Sequence, residues 1–474
     1  MRRALLLSVA AGLVVAATVP PFGWWLLGPP GLALLAAQLG RARRRDRLAC
    51  VVAFALGLYV PSLYWVHDFT LPGWFLFALG EALITAVPFA LVPPGRGRLL
   101  AFPGAVVAAD AFRGRWPFGG LPLAGIDLGQ AGGPLAPVVG IAGRLLLIGL
   151  VAVAAVGLLA LVRRQWRAAV VAFGVVMAVA VVARVAPAGR PAGSLRVAAV
   201  QGGGERGLRA LYSNATDVFD EHLAASRLVR SPVDLVVWPE DVVDVDRLHG
   251  SPQERELQAL ARSLHTTLIA GIVEDAGPTH FHNLAVAYAP DGREVDRYEK
   301  VHRVPFGEYW PGRSLFRHFA SIPERAAVPG RPRAGIVTTP VGRFGVLISY
   351  EVFIPSRARR AATAPLLLVP TNASSFRLDQ VPAQEIAAAR LRALETGRSV
   401  VQAAPTGFSA LIDHRGRVLR HTDLSARQAI QGRVQLRRGD TLYDRTGDWP
   451  VVGVALLALA AGALLERRPS QAAQ

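Results

Sequence analysis

Residues 295–311, VDRYEKVHRVPFGEYWP, pass from an alternating apolar and polar run into a segment rich in charged and aromatic residues. The alternation over Val295–Tyr298 predicts a β-strand. Lys300 comes directly after this strand and begins the segment that contains Glu308. Because open α/β folds hold their chemistry at the carboxyl ends of strands, this stretch predicts an α/β domain with a charged site.

Two further polar residues follow apolar runs in the same way. Glu240 comes after Val236-Val237-Trp238-Pro239, and Ser349 comes after Phe344–Ile348. Taken alone, each residue is typical of a turn or a cap. Taken together they favour a site, because a carboxylate can accept a proton, a hydroxyl can attack a carbonyl, and an ammonium can stabilise the resulting oxyanion.

The region around these residues alternates short apolar runs with helical patterns, which predicts a layered α/β domain. The predicted strands are Leu195–Val200, Leu235–Trp238, Thr267–Ile272, Leu284–Ala289, Val295–Tyr298, Phe344–Ile348, Leu366–Val369, Ser399–Ala403 and Phe408–Ile412. One helix is predicted to begin at the capping box Ser251-Pro252-Gln253-Glu254. Another is predicted over Ala383–Arg398.

Strongly apolar sequence flanks this region on both sides and raises the hydrophobic share of the 474 residues to 52%. A membrane-spanning helix needs roughly 20 apolar residues. Eight segments approach this length, at about 4–20, 24–40, 48–66, 72–92, 99–112, 136–162, 168–186 and 449–465. The sequence therefore predicts an α-helical membrane bundle in residues 1–186, a folded domain in 187–448, and a last helix with its tail in 449–474.

The arginines predict the orientation of these spans. Clusters at one end of the apolar runs fall on a single side of the membrane if eight spans alternate: Arg2-Arg3, Arg41–Arg47, Arg96 and Arg98, Arg163–Arg167, and Arg467-Arg468. The positive-inside rule then puts both termini in the cytoplasm and residues 187–448 outside. Within the spans, Asp110 is expected to pair with Arg113. The net charge of +18 does not indicate a nucleic-acid partner, because no basic motif is interleaved with aromatic residues.

The cysteine content limits the chemistry further. The single cysteine, Cys50, excludes a disulfide within the chain and lies in an apolar run, where it is expected to be an ordinary buried residue. Neither metal-ligand spacing nor a nucleotide-binding glycine fingerprint is present. The sequence predicts no metal and no cofactor.

These residues resemble the Glu–Lys–Cys motifs of the nitrilase (carbon–nitrogen hydrolase) superfamily. The matching pieces are Trp238-Pro239-Glu240, Tyr298-Glu299-Lys300 and Ser349-Tyr350-Glu351. The stretch Lys300–Pro311 and the eight-span frame resemble one branch, the bacterial apolipoprotein N-acyltransferases. The resemblance implies an outward-facing, four-layer αββα sandwich domain on a multi-pass protein of the bacterial cytoplasmic (inner) membrane, with its site on the periplasmic side.

The resemblance also implies a reaction and its partners. A phospholipid donates a fatty acyl chain to the enzyme, and the α-amino group of the diacylglyceryl-cysteine of a lipoprotein accepts it. Glu240 would be the general base, Lys300 the oxyanion partner, and Ser349 would stand at the nucleophile position. Glu308 and Glu351 would hold Lys300, and Tyr350 would line the site.

Ser349 departs from this pattern, because the family nucleophile is cysteine. A thiol ionises far more readily than a serine hydroxyl, and carboxylates around Lys300 would keep that lysine charged and unable to act as a base. Three interpretations stay open: a serine nucleophile activated by Glu240, a catalytically silent paralogue that binds lipid or lipoprotein, or an introduced Cys-to-Ser change. An amidase acting on small soluble amides is disfavoured, because it would need no membrane anchor.

Overall fold

The computed structural model of this protein describes residues 1–41, 43–316, 325–332 and 334–467. The chain divides into two compact units. The helical unit consists of Met1–Pro187 with Thr441–Gln474, and the mixed unit consists of Ala188–Asp440. Arg468, a member of the last predicted arginine cluster, lies outside the described residues.

The α-helices of the described residues belong to both units. In chain order they are α1 Arg2–Ala16, α2 Gly28–Gln38, α3 Arg44–Ser62, α4 Leu71–Phe89, α5 Arg98–Arg113, α6 Ile126–Gln130, α7 Val139–Val162, α8 Trp166–Val185, α9 Ala215–Ser226, α10 Pro252–Leu264, α11 Arg313–Phe316, α12 Pro355–Ala361, α13 Gln380–Thr396, α14 Leu442–Thr446 and α15 Trp449–Arg467.

Each segment predicted to span a membrane overlaps one α-helix of the helical unit: α1 to α5, α7, α8 or α15. By length and composition, four helical stretches of the described residues can cross a membrane, namely Leu71–Phe89, Ala136–Val162, Trp166–Val185 and Trp449–Arg467. The helices α1, α2 and α5 are shorter, and α3 begins with four charged residues. The helical unit therefore contains several apolar helices, and α8 and α15 leave most of their side chains unburied within it.

A cluster of ion pairs lies inside the helical unit. Arg113 donates to Glu81 over 2.8 Å and to Asp110 over 3.3 Å, which confirms the expected pairing of Asp110 with Arg113. Arg144 also pairs with Asp110 and stands 3.6 Å from Asp127. All five side chains are buried, so opposite charges compensate one another where water is excluded. Cys50 is buried on α3, as its apolar surroundings predict.

The mixed unit holds the β-strands of the described residues. In chain order they are β1 Ala188–Gln201, β2 Leu235–Val237, β3 Val243–Val245, β4 Thr267–Asp275, β5 His280–Tyr288, β6 Glu294–Glu299, β7 Ala326–Ala327, β8 Ile336–Thr339, β9 Gly342–Val346, β10 Leu366–Pro370, β11 Ser399–Ala403, β12 Ala410–Ile412, β13 Val418–His421 and β14 Gln428–Thr441.

These strands form two sheets. The first has the order β14-β1-β2-β4-β5-β6, with β3 added at β4 and β7 at β5. The second has the order β13-β12-β11-β10-β9-β8. The centre of each sheet is parallel, with β1, β2 and β4 in the first and β9, β10 and β11 in the second. Antiparallel strands complete both sheets.

Apolar side chains from the two sheets meet in one shared core. Val237 and Ile269 of the first sheet belong to the same buried cluster as Val346 and Leu368 of the second. A second cluster joins the opposite face of the first sheet to α9 and α10, through residues such as Phe219 and Leu257. The helices α12 and α13 contact β9 and β11 of the second sheet. The mixed unit is thus a helix–sheet–sheet–helix α/β sandwich.

Local sequence explains why these elements begin and end where they do. The Ser251 hydroxyl accepts a hydrogen bond from the Glu254 amide over 3.0 Å, which caps α10 as the capping box predicts. The predicted strands at 235–238, 267–272, 344–348 and 399–403 all overlap observed strands. The strands β2, β4 and β6 run in the same direction, because β5 is antiparallel to both β4 and β6. Glu240 and Lys300 therefore lie at the same edge of the first sheet.

Candidate active site

Lys300 lies directly after β6, and the residue is only 1% exposed. Its backbone amide donates to the Asn283 carbonyl over 2.9 Å and fixes the end of the strand. The ammonium Nζ donates to Glu240 Oε1 over 2.7 Å and to Glu308 Oε1 over 2.8 Å. A single buried cation therefore bridges two carboxylates.

Glu240 approaches this cation from the neighbouring part of the same sheet. The chain leaves β2 through Trp238, whose amide donates to the Ile269 carbonyl over 2.8 Å, and Glu240 follows with 3% exposure. Asn283 Nδ2 donates to Glu240 Oε1 over 2.9 Å and to Glu308 Oε1 over 3.1 Å. Asn283 and Lys300 therefore each donate hydrogen bonds to both the Glu240 and the Glu308 carboxylate.

Glu308 belongs to the loop that follows Lys300. Its Oε2 accepts a hydrogen bond from the Val304 amide over 2.7 Å, while its Oε1 faces Lys300. The Arg303 guanidinium lies over the Tyr309 ring at 4.3 Å from the ring centre, which further orders the loop. Residues 295–311 therefore fold so that Glu308 of the loop contacts Lys300 at the end of the strand.

The charges in this cluster set the protonation of each group. Burial acts to lower the pKa of Lys300, but the charges and hydrogen bonds of Glu240 and Glu308 outweigh burial and raise that pKa above its ordinary value. These two carboxylates therefore favour the charged, ammonium form of Lys300, in the direction that the sequence predicts. Burial raises the pKa of Glu240, the Lys300 charge opposes that shift, and the Glu308 charge adds to it.

Ser349 lies at the corresponding edge of the second sheet. It follows β9 and opens a short 3₁₀ turn over Ser349–Phe353, and its side chain is buried. Its φ of 49° is in the left-handed region, which a non-glycine residue adopts only when its surroundings hold it there. Backbone strain of this kind concentrates at functional sites.

Glu351 ties the Ser349 turn to the Lys300 segment. Its Oε1 accepts hydrogen bonds from the backbone amides of Val301 and His302, each over 3.1 Å, and its Oε2 accepts from the Ile348 amide over 3.0 Å. One buried carboxylate therefore binds the residue after Lys300 and the residue before Ser349. This contact joins the turn that begins at Ser349 to the segment that begins at Lys300.

The position of Glu351 corrects one expectation. Glu351 was expected to hold the Lys300 ammonium, but the hydrogen bonds described for it go to the backbone and to Tyr298, whose hydroxyl donates over 2.8 Å. Arg357 stands on the other side, with Nε 3.4 Å from Glu351 Oε1. The reason is that both oxygens of Glu351 accept hydrogen bonds from the backbone and Tyr298, while Glu308 and Glu240 hold the Lys300 ammonium.

Tyr350 lies within the same turn and is buried, with its ring centre 6.1 Å from that of Phe353. Asp241, the residue after Glu240, has a positive φ of 56°, and burial followed by the Glu240 charge raises its pKa well above the ordinary range. No group of three His, Cys, Asp or Glu side chains among the described residues is arranged to hold a metal ion.

Sequence reasoning missed three residues of this network: Asn283, Tyr298 and Arg357. Asn283 stands at the head of the apolar run Leu284–Ala289, where an uncharged amide gives no local signal. Arg357 is fully buried, although its sequence neighbourhood, SRARR, reads as a solvated basic patch. Asn283 and Glu240 are 43 positions apart, Tyr298 and Glu351 are 53 apart, and Arg357 and Tyr298 are 59 apart, so only the folded structure reveals these contacts.

Two family models match this chain. One is described as Carbon-nitrogen hydrolase and matches residues 196–442. The other is described as Apolipoprotein N-acyltransferase N-terminal domain and matches residues 11–156. The matched residues include every predicted site residue in the first case and much of the helical unit in the second.

Similar proteins extend over nearly the whole chain. The protein is 32% identical to the apolipoprotein N-acyltransferase of Azotobacter vinelandii, over 99% of this chain and 96% of that protein. It is 27% identical to the apolipoprotein N-acyltransferase of Photobacterium profundum, over 98% and 96% respectively. Among solved structures, an amidase from Nesterenkonia sp. has a TM-score of 0.37 at 21% identity, over 54% of this chain and 95% of that one. From the two family matches and the full-length relatives, the protein belongs to the apolipoprotein N-acyltransferases, an acyltransferase family of the carbon–nitrogen hydrolase superfamily.

Proposed function

We propose that the protein transfers a fatty acyl chain from a phospholipid to the N-terminal α-amino group of the diacylglyceryl-cysteine of lipoproteins, through an acyl-enzyme on Ser349. The observation that carries this proposal is the buried Glu240–Lys300–Glu308 cluster, which Glu351 links to the Ser349 turn. A base, a cation and a hydroxyl are the groups that acyl transfer requires.

The first half-reaction forms the acyl-enzyme. The Ser349 hydroxyl oxygen attacks the ester carbonyl of the phospholipid while Glu240 takes the hydroxyl proton. The Lys300 ammonium stabilises the oxyanion of the tetrahedral intermediate, which it can do because Glu240 and Glu308 keep it charged. The intermediate then collapses, and Glu240 returns the proton to the departing lysophospholipid oxygen.

The second half-reaction consumes the acyl-enzyme. The acceptor's neutral α-amino nitrogen attacks the acyl carbonyl, and Glu240 moves one amine proton to the Ser349 oxygen as the ester bond breaks. The products are an N-acylated lipoprotein and the free serine. Because the hydroxyl is intrinsically a weaker nucleophile than a thiolate, Glu240 must accept the proton as the bond forms, and a slow acylation step is expected.

The proposed setting is the bacterial cytoplasmic membrane, with phospholipid and diacylated lipoprotein as partners. Residues 1–186 and 449–474 form the proposed membrane bundle of eight spans, and residues 187–448 form the proposed domain on the periplasmic side. The distribution of arginine supports this orientation, because the clusters fall on one side of alternating spans. Both substrates carry acyl chains that reside in the membrane, so a site held at its surface meets them directly.

One assay tests the proposal. Purified protein in detergent is given a phospholipid and a synthetic diacylated lipopeptide, and N-acylation is followed by mass. We expect turnover in the wild type, loss of turnover in Ser349→Ala, and faster turnover in Ser349→Cys. The exposed Ser263 on α10 supplies a matched control, since Ser263→Ala should leave turnover unchanged.

Other outcomes of this assay would contradict the proposal. Activity that appears only in Ser349→Cys would identify the natural chain as a catalytically silent lipid- or lipoprotein-binding paralogue. A Ser349→Ala variant as active as the wild type would remove Ser349 from the chemistry altogether.

A further inference from the structure

A buried carboxyl group that the proposed chemistry does not use lies on α13. Glu385 is only 2% exposed, and its Oε1 accepts a hydrogen bond from the Thr371 hydroxyl over 2.5 Å. Its Oε2 is buried and has no hydrogen-bond partner among the described residues. The carboxyls of Glu308 and Glu351 differ, because both oxygens of each are hydrogen-bonded.

The helix that carries Glu385 contacts the Ser349 turn. The strands β9 and β10 are parallel, with Val346 opposite Leu368. Thr371 comes directly after β10, and the Ser349 turn follows β9, so both come after the carboxyl ends of neighbouring parallel strands. The helix α13 also contacts the Ser349–Phe353 turn directly. Glu385 is therefore hydrogen-bonded to a residue at the carboxyl end of the strand beside β9, and it lies on a helix that contacts the Ser349 turn.

The charges that act on Glu385 are those of the active site. Burial raises its pKa to about 8, the Thr371 hydrogen bond opposes the shift, and the Glu240 charge adds to it. Lys300 and Arg206 act in the opposite direction. The α-ammonium of a peptide has a pKa of about 8, so the two groups exchange a proton at little cost.

We propose that Glu385 binds the α-ammonium group of the lipoprotein acceptor and takes from it the proton that must leave before the amine can attack. This inference rests on the proposed function and assigns the acceptor-binding group of that same site. The unpartnered Oε2 supplies the hydrogen-bond acceptor, and the positive charge of the ammonium lowers the pKa of Glu385 on binding, so that the ionised carboxylate becomes its counter-ion.

The proton balance of the reaction leaves one proton for such a group to take. An ammonium acceptor carries three protons on nitrogen, and the amide product keeps one. Glu240 passes one to the Ser349 oxygen as the nitrogen–carbon bond forms and the acyl–oxygen bond breaks. The third proton goes to Glu385 before attack, and Glu385 releases it to water when the product leaves.

A purely structural role would not require an acid at this position. A glutamine in the same place would accept the Thr371 hydrogen bond equally well, and an unpartnered buried carboxyl oxygen costs free energy of folding. In the proposed complex the acceptor's α-ammonium becomes the hydrogen-bond partner of Glu385 Oε2. This contact offsets the free-energy cost of the buried oxygen.

The first test separates the two half-reactions in Glu385→Gln. Release of lysophospholipid in the first turnover reports acylation, and N-acylation of a diacylated lipopeptide reports transfer. We expect first-turnover release within about two-fold of the wild type and a KM for the lipopeptide raised by about ten-fold or more, since only acceptor binding loses a charged partner.

Two controls test whether the raised KM of Glu385→Gln comes from the lost contact with the acceptor's positive charge. Asp379→Asn removes an equal charge from the exposed start of α13 and should leave both half-reactions unchanged. A lipopeptide analogue with a hydroxyl in place of the α-amino group carries no positive charge. Its inhibition constant as a competitor of the lipopeptide should be equal in the wild type and in Glu385→Gln.

A second variant tests the same idea with Glu385 left in place. The Thr371 hydrogen bond lowers the pKa of Glu385, so Thr371→Val should move the rising pH limb of the transfer step to higher pH while acylation keeps its profile. A limb set by the free amine alone would not move.

The possible failures are distinct. An unmoved limb in Thr371→Val, or an unchanged lipopeptide KM in Glu385→Gln, overturns this inference while both half-reactions of the wild type stand. A wild-type protein that releases no lysophospholipid contradicts the proposed function, and the inference falls with it.

Discussion

Lys300 is the only lysine of the chain, and all other members of its 52 Lys and Arg residues are arginine. A compact ammonium fits between Glu240 and Glu308 at 2.7 and 2.8 Å, whereas a guanidinium is planar and broader. The single lysine therefore stands where a point charge is needed. Because no other lysine is present, a reagent that modifies lysine side chains reports on Lys300 alone.

The buried ammonium should resist amine-reactive reagents. Because the pKa of Lys300 is raised and the residue is 1% exposed, an activated ester at pH 9 should leave its ammonium group unmodified in the folded protein. The unfolded protein should gain the label on the peptide that contains Lys300. Lys300→Arg, which has no lysine, gives the background, and rapid labelling of the folded protein would contradict a charged, buried Lys300.

The Glu240 carboxyl sets the pH dependence of acylation. Its pKa is raised above the ordinary 4.5 by burial, and the base must be ionised to take the Ser349 proton. Activity should therefore be present at high pH and be lost as pH falls through a midpoint above 4.5. First-turnover release of lysophospholipid, measured across pH, gives this midpoint.

The charge of Glu308 provides a check that the midpoint of acylation belongs to Glu240. Glu308 raises the pKa of Glu240, so Glu308→Gln should move the acid limb to lower pH, whatever it does to the rate. A limb that moves upward, or one that stays in place, would show that another group controls acylation.

At the scale of elements, one carboxylate joins the turn after β6 to the turn after β9. Glu351 and Arg357 are both fully buried, and Tyr298 donates its hydroxyl to the same carboxylate. The positive φ of Ser349 persists because these contacts hold the turn from both sides. The backbone geometry of Ser349 therefore depends on contacts between the ends of both sheets.

Removal of this charge should loosen the turn. Glu351→Gln takes the negative charge away from the buried Arg357 and should lower the free energy of unfolding by about 3–5 kcal/mol. Thermal unfolding in detergent measures the change, and acylation should fall with it. Glu299→Gln is the control, since Glu299 is partly exposed beside His282 and should cost about 1 kcal/mol or less. Equal stability of the two variants would contradict the linking role of Glu351.

The sequence predicts the elements of the mixed unit better than it predicts their connections. The strands that end at Glu240, Lys300 and Ser349 have strong apolar runs, so their positions follow from local pattern. Short strands such as β3 and β7 have too few residues to carry a pattern and exist through pairing with β4 and β5. The contacts of Glu351 join residues about 50 positions apart, which no local rule reveals.

At the scale of the whole molecule, arginine distribution and apolar length together predict a multi-pass protein. Four helical stretches of the described residues meet the requirements for crossing a membrane by length and composition. Shorter helices such as α2, with 11 residues, need neighbouring residues to reach a full span. The proposed count of eight therefore depends on the charges between helices, because the loss of one span would put arginine clusters on both sides.

Cysteine labelling tests this orientation. In a Cys50→Ala background, Gln165→Cys lies between α7 and α8, and Ala259→Cys lies on the exposed face of α10. A membrane-impermeant maleimide added to intact spheroplasts should label Ala259→Cys and spare Gln165→Cys. Both should react after the membrane is permeabilised, and the reverse pattern in intact spheroplasts would refute the proposed sidedness.

The covalent intermediate tests the central claim most directly. The protein is mixed with a phospholipid of one defined acyl chain and no acceptor, quenched in acid and digested, and the peptide that contains Ser349 is weighed. The account predicts a mass gain of one acyl group on Ser349, which disappears when lipopeptide is added and is absent from Ser349→Ala. N-acylation of lipopeptide by a protein whose Ser349 peptide never gains this mass would contradict it.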